Sequence, residues 1–166
     1  MNSLQKIKHK IISIQDFISL KKDDDLKDKK IVFTNGCFDL LHRGHVEYLA
    51  KASDLGDILV IGLNTDASIR RIKGKNRPIT DESSRSLLLA ALSFVDFIIL
   101  FDENTPYSLI QHIQPDILIK GSDYTENTII GADIVKAKGG KIITIDLVPD
   151  YSTSAIEKKI RENVNN

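Results

Sequence analysis

Five stretches of this chain are apolar almost without interruption: KIVFTN, DILVIGLN, VDFIILF, PDILIKG and KIITID. A strand with one wet face alternates apolar and polar residues, whereas a continuous apolar run is buried on both faces. Segments of helical spacing separate the runs. VEYLAKASDLG ends at Gly56, a helix stop, DASIRRIKG opens on Asp66, and DESSRSLLLAALSFV has an acidic first turn. TPYSLIQHI carries Pro106 in its first turn, ENTIIGADIVKAKGG is closed by glycines, and STSAIEKKIREN begins with hydroxyl caps. Strands buried on both faces with helices between them predict an α/β fold, a parallel five-stranded sheet with helices on both faces. Such a sheet binds its ligands beyond the C-terminal ends of the strands, where the strand order reverses.

Ahead of the first run, Ile7, Ile11, Ile14, Phe17 and Ile18 fall at helical spacing, which predicts one amphipathic helix over roughly Leu4–Leu20. KKDDDLKDKK after it reads as a solvated connector. The expected organisation is therefore residues 1–29 as helix and connector and 30–166 as the functional domain, within a length that suits one core. The 23 basic residues equal the 23 acidic ones, which gives no support for a nucleic-acid surface or a polybasic membrane patch. The single cysteine, Cys37, excludes an internal disulfide and a paired-thiol metal site, and reads as a small buried filler. The N-terminus has no long apolar run and no cleavage-like pattern, so the expected setting is the cytoplasm, without a membrane partner.

The segment after the first strand, TNGCFDLLHRGH, carries the chemistry. Gly36 lets backbone approach a ligand, and Gly44-His45 opens a helix whose free N–H groups favour an anion. His42 and His45, three apart, can converge on one ligand, and each can donate a hydrogen bond to a phosphate oxygen. Three other readings stand beside this one: a helix cap, a surface residue, or half of a zinc site that no nearby cysteine completes. Phe38, Leu40 and Leu41 read as packing residues.

TNGCFDLLHRGH resembles the HxGH signature of the nucleotidylyltransferase (cytidylyltransferase-like) superfamily. Within it, the chain is most similar to the adenylyltransferase half of the ADP-heptose synthases, which also occurs as a stand-alone heptose 1-phosphate adenylyltransferase. GLNTDASIRRIKGKNRPI resembles that group's second-strand segment and basic loop. ILIKGSDYTENTIIGADIVKAKGGKI resembles its KGxDY stretch, and YSTSAIEKKI its late serine/threonine motif. Four segments in order, at family-like spacing, cover nearly the whole chain. No kinase-like half precedes them in this sequence, so the stand-alone form is the one expected.

The resemblance implies a Rossmann-like nucleotidylyltransferase fold and transfer of AMP from ATP to a sugar 1-phosphate, D-glycero-D-manno-heptose 1-phosphate in this branch. The products are an ADP-sugar for surface polysaccharide assembly and pyrophosphate. Mg²⁺ carried by the nucleotide, with no protein metal site, and ATP and the sugar phosphate as small-molecule partners, follow from it. So does an oligomeric habit, for which the apolar stripe of the N-terminal helix packs either on a neighbour or on its own sheet.

It also assigns residues. His42, His45 and Lys73 would be catalytic, and Thr34, Asn35, Gly36, Phe38 and Asp39 would contact the nucleotide, although Asp39 reads equally as a cap at the helix start. Lys73, Lys75 and Arg77 in KGKNRP are either a solvated turn or a basic loop that closes over phosphates; Arg77 is assigned to the nucleotide and the lysines to the substrate. Arg85 is either a surface ion pair or a second substrate contact. Lys120, Gly121 and Asp123 would hold phosphate, ribose or sugar hydroxyls. Ser152, Thr153 and Ser154 form a good N-cap and would also hold the β- and γ-phosphates. Cytidylyltransferases of this type carry an arginine and a glycine before the late motif. LVPDYSTS has neither, which disfavours CTP with glycerol 3-phosphate as the substrate pair. A nucleotide-binding module without turnover is the reading from a different functional class.

Overall fold

The computed structural model describes residues 1–22, 26–149 and 151–164. Among the described residues six parallel strands form one sheet: β1 (Ile11–Ile12), β2 (Ile31–Gly36), β3 (Ile58–Asn64), β4 (Phe97–Phe101), β5 (Ile117–Gly121) and β6 (Lys141–Ile145). Their order is β1-β4-β3-β2-β5-β6. Alternate residues of the apolar runs enter opposite cores, which is why the runs do not alternate in polarity. Val32, Leu59, Ile61 and Ile98 pack with Leu49 of α3 (Arg43–Ser53) and Leu89 of α5 (Glu82–Ala90). On the other face Phe33, Val60, Ile99 and Leu118 pack with Phe17 and with Ile110 and Ile113 of α6 (Tyr107–Ile113). Here α1 is Ser3–Lys8, α2 Ile14–Lys22, α4 Asp66–Lys73, α7 Ala132–Ala137 and α8 Thr153–Val164. Among the described residues no helix is long and apolar enough to cross a membrane.

The sixth strand corrects the expected count of five, and it comes from the segment read as one long helix. Asn2 and Gln5 cap α1 reciprocally, and the helix ends at Lys8. Ile11 and Ile12 then pair with Ile98 and Ile99 at the edge of β4. Ser13 starts a new helix by accepting the Asp16 N–H, and Phe17 of that helix is fully buried against Phe97. The β-branched doublet satisfies an exposed sheet edge that a continuous helix would leave unpaired. The stripe of the N-terminal segment thus packs on its own sheet.

A second correction concerns ENTIIGADIVKAKGG. It holds a short 3₁₀ turn at Glu126–Thr128, and α7 begins only after Gly131. Gly131 has φ +85°, and a Cβ there would lie 2.6 Å from Ile110, so the chain turns where a helix was expected. Of the charged connector, residues 23–25 lie outside the described residues, while Leu26 is buried in the core beside Ile31.

The chain runs from β2 outward through β3 to β4, then returns to place β5 on the other side of β2. β2 pairs with β3 over six positions but with β5 only at Val32 and Phe33. Beyond Phe33 the two strands have no paired residues, and this opens the crevice at the reversal of strand order.

Candidate active site

A cavity of about 720 Å³ occupies that crevice. Its floor is the end of β2. Asn35 and Gly36 line it, and Lys120 at the end of β5 reaches across to the Asn35 Oδ1 at 2.5 Å. The chain then turns sharply at Phe38, whose φ of 45° lies in the left-handed region. Gly36 suits this turn, because a Cβ would stand 3.0 Å from the Phe38 ring and the ring would have to give way.

His42 is the N-cap of α3, in extended conformation, and makes no side-chain cap hydrogen bond. Its ring stacks on that of His45 with centroids 3.8 Å apart and planes 20° apart, and Phe38 meets His45 edge-on. Gly44 between them permits this packing, since a Cβ would lie 3.1 Å from the His42 ring and 3.2 Å from Tyr151. The Nδ1 atoms of both histidines are buried without a hydrogen-bond partner among the described residues. Buried polar atoms are normally paired, so two orphans side by side in a cavity wall mark a place that favours a ligand. Burial lowers the His42 pKa. Burial, reinforced by His42 and Lys73 and opposed by the Leu40 backbone, brings His45 down to about 4. His45 is therefore neutral at pH 7, able to donate one N–H without carrying charge.

The other walls come from distant segments. Lys73 ends α4, and Arg77 follows in the basic loop. Gly121 and Asp123 follow Lys120, and a Cβ on Gly121 would lie 2.5 Å from the Asp123 carboxylate. Burial brings the Lys120 ammonium down to about 8 against the opposing pull of Asp123. Ser152, Thr153 and Ser154 close the cavity at the start of α8, where the Ser152 Oγ accepts the Ala155 N–H.

The structure thus brings to one cavity His42, His45, Asn35, Gly36, Phe38, Asp39, Lys73, Arg77, Lys120, Gly121, Asp123 and Ser152–Ser154. Three expected residues are elsewhere. Thr34 is fully buried behind the wall, its hydroxyl 2.8 Å from that of Tyr48. Lys75 is exposed on the basic loop and does not line the cavity. Arg85 is neither a surface ion pair nor a lining residue: it is 1% exposed and bonds the carbonyls of Thr80, Cys37 and Asn64 and the Asp66 carboxylate.

Asp39 is not a helix cap. Its buried carboxylate accepts the N–H groups of Ile79 and Thr80 and the Arg77 guanidinium, fastening the basic loop to the turn after β2. Burial works against the charged form, but the hydrogen bonds from Thr80, Arg77 and Ile79 outweigh it and hold the pKa low. Cys37, expected as buried filler, is half-buried and lines the cavity. Sequence reasoning missed Tyr124, Leu147, Val148 and Tyr151, which give the cavity an apolar and aromatic side. Their signal was position: each follows closely on the end of β5 or β6, where the fold places its ligands. Among the described residues no three of His, Cys, Asp and Glu group as metal ligands.

The cytidylyltransferase-like family profile matches residues 33–164. The chain is 50% identical over 92% of its length to the bifunctional protein HldE of Campylobacter jejuni subsp. doylei. It is 52% identical over 89% of its length to HldE of Syntrophotalea carbinolica. It spans about a third of those relatives, 32% and 30% of their lengths. A lipopolysaccharide core biosynthesis protein from Thermoplasma volcanium superposes with a TM-score of 0.61 at 34% identity, covering 72% of this chain and 98% of that one. A pantoate–β-alanine ligase from Francisella tularensis, 18% identical, shares the fold with a TM-score of 0.58, over 94% of this chain and 79% of its own. By the profile match over most of its length and the identity to relatives over nine-tenths of it, the chain belongs to the cytidylyltransferase-like family of nucleotidyltransferases.

Proposed function

We propose that this protein transfers AMP from ATP to a sugar 1-phosphate, D-glycero-D-manno-heptose 1-phosphate, releasing pyrophosphate and an ADP-heptose. The observation that carries the reading is the stacked His42–His45 pair, whose buried Nδ1 atoms have no partner among the described residues, in a cavity lined by Lys73, Arg77 and Lys120. An oxygen of the acceptor's phosphate attacks the α-phosphorus of ATP, and the bond to the β-phosphate oxygen breaks as pyrophosphate leaves. No enzyme nucleophile is needed, so catalysis consists of holding two anions in line and stabilising charge on the reacting phosphorus. Neutral His42 and His45 donate to oxygens of the α-phosphate. Lys73 and Lys120 draw the anions together, and the hydroxyls and N–H groups at the start of α8 hold the terminal phosphates.

Mg²⁺ fits this donor set as an ion held mainly by the triphosphate, with Asp123 the lining carboxylate not paired to an arginine. When bound, it offsets part of the phosphate charge. Choice of the adenylyl and heptose branch rests on similarity to HldE, on the lipopolysaccharide core biosynthesis neighbour and on the absence of an arginine in LVPDYSTS. A cytoplasmic setting goes with ATP as the donor.

Pyrophosphate release in the presence of Mg²⁺, with ATP or CTP paired with heptose 1-phosphate or glycerol 3-phosphate, tests the reading. Release is expected with ATP and the heptose phosphate. Release with CTP and glycerol 3-phosphate alone would overturn the choice of branch, and binding without release from any pair would overturn the activity.

The lowered pKa of Lys120 gives a pH signature. A bound phosphate favours the ammonium form, so affinity is complete below about pH 8 and declines above it, by up to about tenfold per pH unit until the pKa of the complex is reached. Titrations of the wild type and of Lys120→Met between about pH 6.5 and 9.5 check this, and the variant should show a flat profile at weaker affinity. A wild-type affinity that rises through pH 8 would remove Lys120 from the phosphate site.

A further inference from the structure

The first turn of α8 forms part of the cavity wall, yet α8 itself is held lightly. None of its described side chains is buried; Thr153, Ile156 and Glu157 are half-buried and the others exposed. Among the described residues the charged link from this helix to the body runs through Glu157, whose carboxylate accepts a hydrogen bond from Arg77 Nη2. Arg77 Nη1 donates to the Asp39 carboxylate at 2.9 Å. Asp39, 5% exposed, is fixed in turn by the N–H groups of Ile79 and Thr80. A guanidinium is a rigid planar fork, so anchoring one arm in a buried carboxylate sets the direction of the other. The Arg77 and Glu157 side chains are 20% and 23% exposed, which removes this bridge from the class of fully solvated ion pairs that contribute little.

We propose that Glu157 is a positioning residue: through Arg77 it holds the start of α8 against the basic loop, so that the donors of Ser152–Ser154 face a bound polyphosphate. The inference rests on the reading that the terminal phosphates of the nucleotide bind at the start of α8. Glu157 does not line the cavity and so acts through Arg77. The local geometry of the turn does not depend on it: Ser152 accepts the Ala155 N–H at its Oγ and the Ile156 N–H at its carbonyl, both at 3.1 Å. Losing the Glu157 charge therefore leaves the turn formed but releases its placement.

Calorimetric titration with Mg-ATP and, separately, with inorganic tripolyphosphate tests this on Glu157→Gln, Glu157→Asp and Lys158→Gln. Lys158 is the adjacent exposed residue and serves as the control. Glu157→Gln should weaken both probes by about five- to tenfold. In turnover the KM for the nucleotide should rise with kcat little changed, and the melting temperature should fall by no more than about 2–4 °C. Glu157→Asp should restore part of the affinity, and Lys158→Gln should match the wild type. Tighter binding by Glu157→Gln would mean that the carboxylate competes with phosphate for Arg77, and it would overturn the proposal. So would unchanged affinity for both probes. A wild type that binds neither probe would remove the phosphate site itself, an outcome distinct from a variant that binds like the wild type.

Discussion

Replacing His42 by alanine is expected to lower kcat by about two to three orders of magnitude, the loss measured when one preorganised donor to a developing charge is removed. The structure makes this a clean substitution. His42 stands at the N-cap of α3 without a side-chain cap bond, so alanine removes no cap and the helix should keep its start. The ring is instead committed to stacking on His45, with its Nδ1 buried and unpaired. That arrangement costs stability in the free protein and is repaid only when a ligand arrives. A loss confined to kcat, with nucleotide affinity within about threefold of the wild type, would place the donation in the transition state. His45→Ala should cost a similar factor, and the double variant little more than either alone, because the rings position one another. Equal kcat in His42→Ala and wild type would end the catalytic assignment of the pair. Rapid-quench measurement of the chemical step separates this from any effect on product release.

Much of this site was legible before the fold was. The spacing of His42, Gly44 and His45 and the small residues after β2 carry their meaning locally, because a strand end, a turn and a helix start are all set by near neighbours. Lys120 and Asp123 were legible for the same reason: they follow an apolar run and so fall where a buried parallel strand releases the chain. Arg85 was not. Its burial depends on carbonyls at Cys37, Asn64 and Thr80, from segments that only the folded sheet brings together. A weak signal existed, since Arg85 lies four residues before Leu89 on the inward face of α5, with Ser86 and Leu89 also buried. The cap alternative for Asp39 failed likewise: a carboxylate just before a helix looks like a cap, and only the return of the 77–80 loop shows what it accepts.

The N-terminal segment failed for another reason. Isoleucines at helical spacing fit a helix and an edge strand flanked by two short helices equally well, and tertiary pairing with β4 decided between them. The Ser13–Asp16 capping pair lay in the sequence and marked the second helix start. Glu157 could not be read at all, because on its own helix it is one charge among several, and Arg77 lies 80 positions away.

The largest loss of stability is expected from Arg85→Met, about 3–5 kcal/mol, the range for breaking a buried charge network by removing one partner. Arg85 is 1% exposed and uses at least four of its five N–H donors: Nε to Thr80 O at 3.0 Å, Nη1 to Cys37 O at 2.6 Å, and Nη2 to Asn64 O at 2.9 Å and Asp66 Oδ1 at 2.8 Å. Replacing a whole buried ion pair by apolar residues can be neutral, but that route is closed here. Three of the four acceptors are backbone carbonyls, which no substitution removes, so methionine fills the volume and leaves them unpaired. Arg85→Lys should recover only part of the loss, because one ammonium cannot span acceptors arranged around a planar fork. In a chain of this length each kcal/mol corresponds to roughly 2–4 °C, so Arg85→Met should melt about 6–20 °C below the wild type. Urea unfolding should show a lower midpoint at unchanged slope, the mark of lost stability in the native state. The surviving folded fraction should also turn over more slowly, since the Cys37 carbonyl that Arg85 holds lies in the turn that sets Phe38 against His45. Stability within about 1 kcal/mol of the wild type would mean that water replaces the guanidinium, which the burial of the site argues against.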